Sequence, residues 1–208
     1  MSVSPVLSFR RIRLLVLAAL LTGVVAAASV PSAADDLAAA RAELSRLQER
    51  YGENHPKVIE QQVRVDELDQ LSRNSPNEPA VLRSARVDLS VLLTRYAENH
   101  PKLRAQFARV QAMEAQVKAN PATPAELLSA QGDLAALTIR YGDKNPRVLA
   151  TQAHVAALQK YLLAPGDESH ELRLARAEHE ELLARYGSEH PKVIAAAGKI
   201  ATLEAAAK

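Results

Sequence analysis

Four of the five tyrosines stand at one fixed interval. Tyr51, Tyr96, Tyr141 and Tyr186 are each 45 residues apart. Around them the chain reads RYGENHPKV, RYAENHPKL, RYGDKNPRV and RYGSEHPKV, and no insertion breaks the register. A period in this range is the mark of a repeat architecture, in which one unit buries its apolar face only against the next.

The apolar positions repeat with the same period. Leu37, Leu82, Leu127 and Leu172 are followed three residues on by Ala40, Ala85, Ala130 and Ala175. Leu44, Leu89 and Leu134 come next, with His179 in the fourth copy, and then Leu47, Leu92, Leu137 and Leu182. Steps of three and four from Leu37 to Tyr51 place one apolar stripe on an α-helix. Beyond the motif Val58, Val65 and Leu68 continue a stripe, as do Leu103, Val110 and Met113, Val148, Val155 and Leu158, and Val193, Ile200 and Leu203. SRNSPNEP, KANPATP and APGDES separate the copies and read as loops. Hydrophobic residues make up 48% of the chain and aromatic ones 3%, so its interior is built from Ala, Leu and Val. Such an interior suits close helix-on-helix packing. The expectation is an all-α chain of four tandem helix–elbow–helix repeats, at residues 35–79, 80–124, 125–169 and 170–208.

The motif itself spells out an elbow. Arg50 suits the last turn of a helix, where a cation complements the dipole. Tyr51 ends the apolar stripe and is expected to pack in the corner. Gly52 suits a left-handed position that stops a helix, and Pro56 suits the first position of the next. His55 then becomes the N-cap, a position held in the third copy by Asn145, a favoured capping residue. A continuous heptad phase through Val58 and Leu68 leaves a second reading open, one long helix kinked at Pro56. Ala97, in place of glycine, tilts the second copy toward the kink. Hairpins give a stack of short helices, and kinks give four long helices in a bundle or coiled coil.

The first 34 residues differ from the rest. Arg10, Arg11 and Arg13 precede the apolar run Leu14 to Val25, and Ser32-Ala33-Ala34 before Asp35 fits a cleavage site, with Ala26-Ala27-Ala28 as a second candidate. The run is short for a membrane span, which needs about 20 residues. The expectation is a signal peptide at residues 1–34 and a periplasmic or secreted protein, held to the inner membrane by this segment if it is uncleaved. Beyond residue 34 the chain carries 23 bases and 24 acids, so net charge makes no case for nucleic-acid binding. Cysteine is absent, which excludes disulfides, thiolate metal sites and a thiol nucleophile.

No catalytic motif is recognisable. A Gly-rich phosphate loop, Gly-x-Ser-x-Gly and His-Glu-x-x-His are all missing, and no cofactor is expected. His55, His100 and His190 recur, but ligands must converge and no His-x-x-x-His pair exists, so an elbow role is favoured over metal binding. The unusual feature is charge. Arg50, Arg95, Arg140 and Arg185 precede the tyrosines, and Lys57, Lys102, Arg147 and Lys192 follow the elbow prolines. A cation at a helix start is mildly disfavoured. With hairpins stacked in one direction, Arg50, Tyr51, Lys57, Arg95, Tyr96, Lys102, Arg140, Tyr141, Arg147, Arg185, Tyr186 and Lys192 form a ladder along one edge. Its partner would be an anionic polymer or surface, such as acidic polysaccharide or lipid headgroups. The plainer alternative is a solvated edge, neutralised locally by Glu53, Glu98, Asp143 and Glu189.

Two resemblances rest on the same residues. Arg50-Tyr51-Gly52 with His55-Pro56-Lys57-Val58, and most closely Arg185 to Ile194, resembles a stretch in the helical periplasmic region of polysaccharide co-polymerases, the chain-length determinants and exopolysaccharide transport proteins of bacterial envelopes. It covers about half of each repeat and implies a role in polysaccharide assembly or export. Gly52 to Val58 also matches the Gly-x-x-His-Pro-x-Val spacing of the longer tetratricopeptide-like repeats, which implies a helical interaction scaffold. The functional expectation is an exported, non-catalytic scaffold of the bacterial envelope that binds an envelope protein or an anionic polymer. The alternatives are an accessory of polysaccharide assembly or export and a self-associating coiled-coil spacer.

Overall fold

In the computed structural model, which describes residues 32–207, the repeats are helical hairpins. The described residues form eight α-helices: α1 (Ala33–Tyr51), α2 (Pro56–Asn74), α3 (Ala80–Arg95), α4 (Pro101–Ala119), α5 (Ala125–Tyr141), α6 (Pro146–Leu162), α7 (His170–Tyr186) and α8 (Pro191–Ala206). Each helix packs on its neighbours in sequence, and α5 also touches α3. The elbows therefore share one edge and the Pro-rich linkers the other.

The elbow is a turn, and the long kinked helix is excluded. Gly52 takes φ +77° and ψ 163°, and Gly142 and Gly187 adopt the same conformation. Positive φ with an extended ψ belongs almost only to glycine, so the stop is sharper than a left-handed cap. Ala97 cannot adopt it. The second copy instead ends α3 one residue early, at Arg95, and lays Tyr96 out at φ −129° and ψ 144°. The next helix starts as expected. His55, His100 and His190 cap through Nδ1, each accepting from a backbone N–H at 3.2 Å, and Asn145 Oδ1 accepts from Arg147 N at 2.9 Å.

Residues 1–34, expected from the sequence to be a signal peptide, lie outside the described residues except for their last three. There Ser32 caps α1: its hydroxyl accepts from Asp35 N while the Asp35 carboxylate accepts from Ser32 N, a reciprocal capping box. The Ser32 bonds hold the Asp35 carboxyl below its ordinary range. The repeat unit thus begins at Ala33, two residues before the boundary drawn from the sequence. A cut before Asp35 would remove the cap, whereas one after Ala28 would leave it whole.

Burial follows the 45-residue period, and along the first helix of each hairpin it fades toward the elbow. Leu37, Leu82, Leu127 and Leu172 are buried, as are Ala40, Ala85, Ala130 and Ala175, and Val58, Leu103, Val148 and Val193. Leu44, Leu47 and their equivalents are only half-buried. Three apolar clusters result, around Leu68 and Val87, around Met113 and Leu128, and around Leu158 and Ala177. Each lies where one hairpin meets the next. The junctions pair a large residue with a smaller one. Leu68 shares its cluster with Val87, and Leu158 shares its cluster with Ala177. Met113 lies against Gly132, where an added Cβ would come within 2.5 Å of the Met113 methyl and 2.9 Å of Arg109 Cγ.

Polar contacts repeat in the same register. Within hairpins Arg41 reaches Asp69 at 3.1 Å, Arg86 reaches Glu114 at 2.8 Å and Arg176 reaches Glu204 at 2.8 Å. In the third copy both positions are glutamine, Gln131 and Gln159, so charge is gained and lost as a pair. Gln61 and Gln106 each donate to a carbonyl of the preceding helix, Ala40 at 2.9 Å and Ala85 at 2.8 Å.

Candidate functional site: the elbow edge

The tyrosines do not fill the corner. Tyr51, Tyr141 and Tyr186 remain 36%, 43% and 37% exposed, and Tyr96 is half-buried. Three of them instead stack on the capping histidine four residues ahead. Ring centroids lie 4.5 Å apart for Tyr51 and His55, 4.0 Å for Tyr96 and His100, and 4.4 Å for Tyr186 and His190. Each interplanar angle is 20° or less. Sequence reasoning missed this pair, although the invariant spacing from Tyr to His across one turn was its signal.

The tyrosine ring explains the cation at the helix start. Lys57 Nζ sits 5.4 Å from the Tyr51 centroid, Lys102 Nζ 5.6 Å from Tyr96, and Lys192 Nζ 5.5 Å from Tyr186. Arg147 Cζ lies 5.8 Å from Tyr141. Electrostatic attraction to the ring face offsets the unfavourable dipole. Arg50 and Arg185 approach the same rings, each at 5.2 Å. Of the twelve ladder residues, the four tyrosines and these six cations are thus drawn together elbow by elbow. Arg95 and Arg140 are not on a ring.

The acids beside this edge close no ion pair with it among the described residues. Glu53, Glu98, Asp143 and Glu189 form no ion pair among the described residues, and neither do Lys57, Lys102, Arg147 and Lys192. The charge is also unevenly spread. The four nine-residue motifs hold nine bases and four acids, whereas the remainder beyond residue 34 holds fourteen bases and twenty acids. A near-neutral chain is therefore split into a basic edge and an acidic body.

A groove runs from this edge down each of the first two junctions. The first is lined by Lys57, Gln61, Arg64, Val91 and Arg95, and the second by their equivalents Lys102, Gln106, Arg109, Ala136 and Arg140. The second is the larger, at about 820 Å³ against about 520 Å³. Besides Val91 against Ala136, they differ at one charged position. At position 60 the first junction carries Glu60, which closes a two-pronged ion pair on Arg95 and is held below its ordinary carboxylate range by that bond. The second junction has Ala105 there, and Arg140 lines the groove with no ion pair among the described residues. The third has Ala150. Below Arg140 the wall is set by Arg109, bonded to Asp133 at 3.1 Å.

No family model, no curated protein and no solved structure matches this chain. The resemblances drawn from the motif rest on those residues alone. What the fold and its edge define is a class: an all-α tandem array of four helical hairpins with a basic, tyrosine-bearing elbow edge.

Proposed function

We propose that this protein is an exported, non-catalytic scaffold whose elbow edge binds an acidic polysaccharide. The observation that carries this is the second groove, in which Lys102 and Arg140 are exposed, form no ion pair among the described residues and are 45-residue equivalents of residues along the same edge. A row of cations at regular intervals matches a chain that repeats its carboxylates. Localisation in the periplasm or outside the cell follows from the residues 1–34 pattern. An accessory role in polysaccharide assembly or export is the narrower form of this proposal, and it draws on the co-polymerase resemblance.

The test uses the full chain with polygalacturonate as probe and neutral dextran as control. Binding is expected to polygalacturonate only, and to weaken steeply with added salt, since exposed charges are screened beyond about 8 Å at physiological ionic strength. Reversing Lys102, Arg140, Arg147 and Lys192 together to Glu is expected to lower affinity at least roughly tenfold, with helix content unchanged by circular dichroism. Unchanged binding by the reversed chain sinks the proposal. Preference for anionic vesicles over the polysaccharide would move the site to a lipid surface.

A further inference from the structure

Each of the three junctions holds one pair of the same polarity, beside pairs of the opposite sense such as Glu60 with Arg95 and Glu126 with His170. In the shared pair, on the trailing side, the second helix of a hairpin offers a base; on the leading side, the first helix of the next offers an acid. Arg64 meets Asp88 at 3.4 Å, Arg109 meets Asp133 at 3.1 Å, and His154 meets Glu181 at 3.3 Å. Small residues let the helices close. Val87, Gly132 and Ala177 are buried on the leading side, and Ala105 and Ala150 on the trailing side.

The two ends of the array keep this chemistry with no neighbouring hairpin among the described residues, Glu43 being held only by Arg46 of its own helix at 3.4 Å. On α1 the leading positions are Ala42 and Glu43, both exposed. On α8 the trailing positions are Ala195, Lys199 and Leu203, of which the first two are exposed and the third half-buried. A terminal hairpin ordinarily carries a polar outer face that stops the stack. Here small apolar residues persist at the equivalent positions, and the two end charges are opposite. The apolar pairing also fits one internal junction. Leu203 over Ala42 reproduces the leucine-on-alanine match of Leu158 and Ala177.

We infer that a second copy of this chain docks its α1 face on the α8 face of the first, head to tail, as a fifth hairpin continuing the array. Lys199 pairs with Glu43 across the junction, and Leu203 seats against Ala42. Such a contact is heterologous and open-ended, so it builds filaments of variable length rather than closed dimers. It would also extend the elbow edge from one chain into the next. The inference stands on the junctions and is independent of what the edge binds.

Sedimentation velocity of the full chain over a concentration series tests it. The wild-type chain is expected to form species that grow with concentration. Lys199→Glu or Glu43→Lys alone is expected to weaken self-association roughly tenfold, by replacing attraction with like-charge repulsion. Mixing the two variants restores it, because each then meets a complementary end. Ala42→Trp, at a position exposed in the single chain, is expected to block growth while leaving circular dichroism unchanged. A monomer at every concentration overturns the inference, whether residues 1–31 cover an end or nothing does. Association that ignores the charge reversals and their mixing overturns it too, since the apolar Leu14–Val25 run or a side-by-side contact would then be driving it.

Discussion

At the elbow, a histidine does two jobs that the sequence presents as one. His55 caps α2 through Nδ1 and stacks on Tyr51, whose ring centroid also lies 5.4 Å from Lys57 Nζ. Asn145 keeps only the first of these, and its elbow holds a cation on Tyr141 without the stack. The groove beneath is tuned by one neighbouring residue. Glu60 occupies Arg95 in the first junction, and alanine leaves Arg140 open in the second. Glu60→Ala is therefore expected to raise affinity for polygalacturonate several-fold in a binding titration, by making the first groove resemble the second. The same variant carries a pH signature. Arg95 depresses the Glu60 carboxyl, so the pair contributes stability above the unfolded carboxylate range and loses it as pH falls through the folded value. The stability gap between wild type and Glu60→Ala in urea unfolding should close in acid. Glu78 has the opposite sign: burial raises it, so acid relieves rather than costs its site.

At the scale of helices, the parts legible in sequence were those set by local chemistry. The four elbows, their caps and the buried stripe at Leu37 and Ala40 follow from Gly, Pro and periodicity. What local chemistry does not fix is where a helix is small because another is close. Gly132 reads as an incidental helix glycine, and only the approach of Met113 gives it a purpose. Gly198 has nothing within 4 Å of its would-be side chain. The two should respond oppositely to the same change. Gly198→Ala is expected to stabilise the fold by up to about 1 kcal/mol through helix propensity. At Gly132 that gain is outweighed by overpacking of about 1–3 kcal/mol, because Met113 is fully buried and has no solvent to swing into. Gly132→Ala should therefore lower the urea midpoint while Gly198→Ala raises it. The Tyr–His stack and the paired exchange of Arg86 and Glu114 for Gln131 and Gln159 were legible in principle. They emerge only when the copies are aligned column against column, whereas the eye first follows the motif.

Across the whole array, copies that share one elbow motif are kept in order by junctions that differ. If every unit were equivalent, any copy could be removed and the ends rejoined at a uniform cost. The large-on-small pairs predict otherwise. Excising residues 125–169 brings α7 onto α4, and Ala177 then stands where Gly132 stood against Met113. The shortened chain loses one hairpin and also acquires that clash. Ala177→Gly separates the two effects. In the full chain this change should cost about 1 kcal/mol, since it removes a good helix former that packs beside Leu158. In the excised chain the same change should cost nothing or add stability, since it restores the space Met113 requires. A cycle of four chains, full and excised, each with and without Ala177→Gly, measures this coupling directly by urea unfolding. Equal costs in both backgrounds would mean that the hairpins are interchangeable and that the order of copies carries no structural information. Unequal costs of the stated sign would show the array to be a sequence of matched faces, the property that also lets its two ends recognise each other.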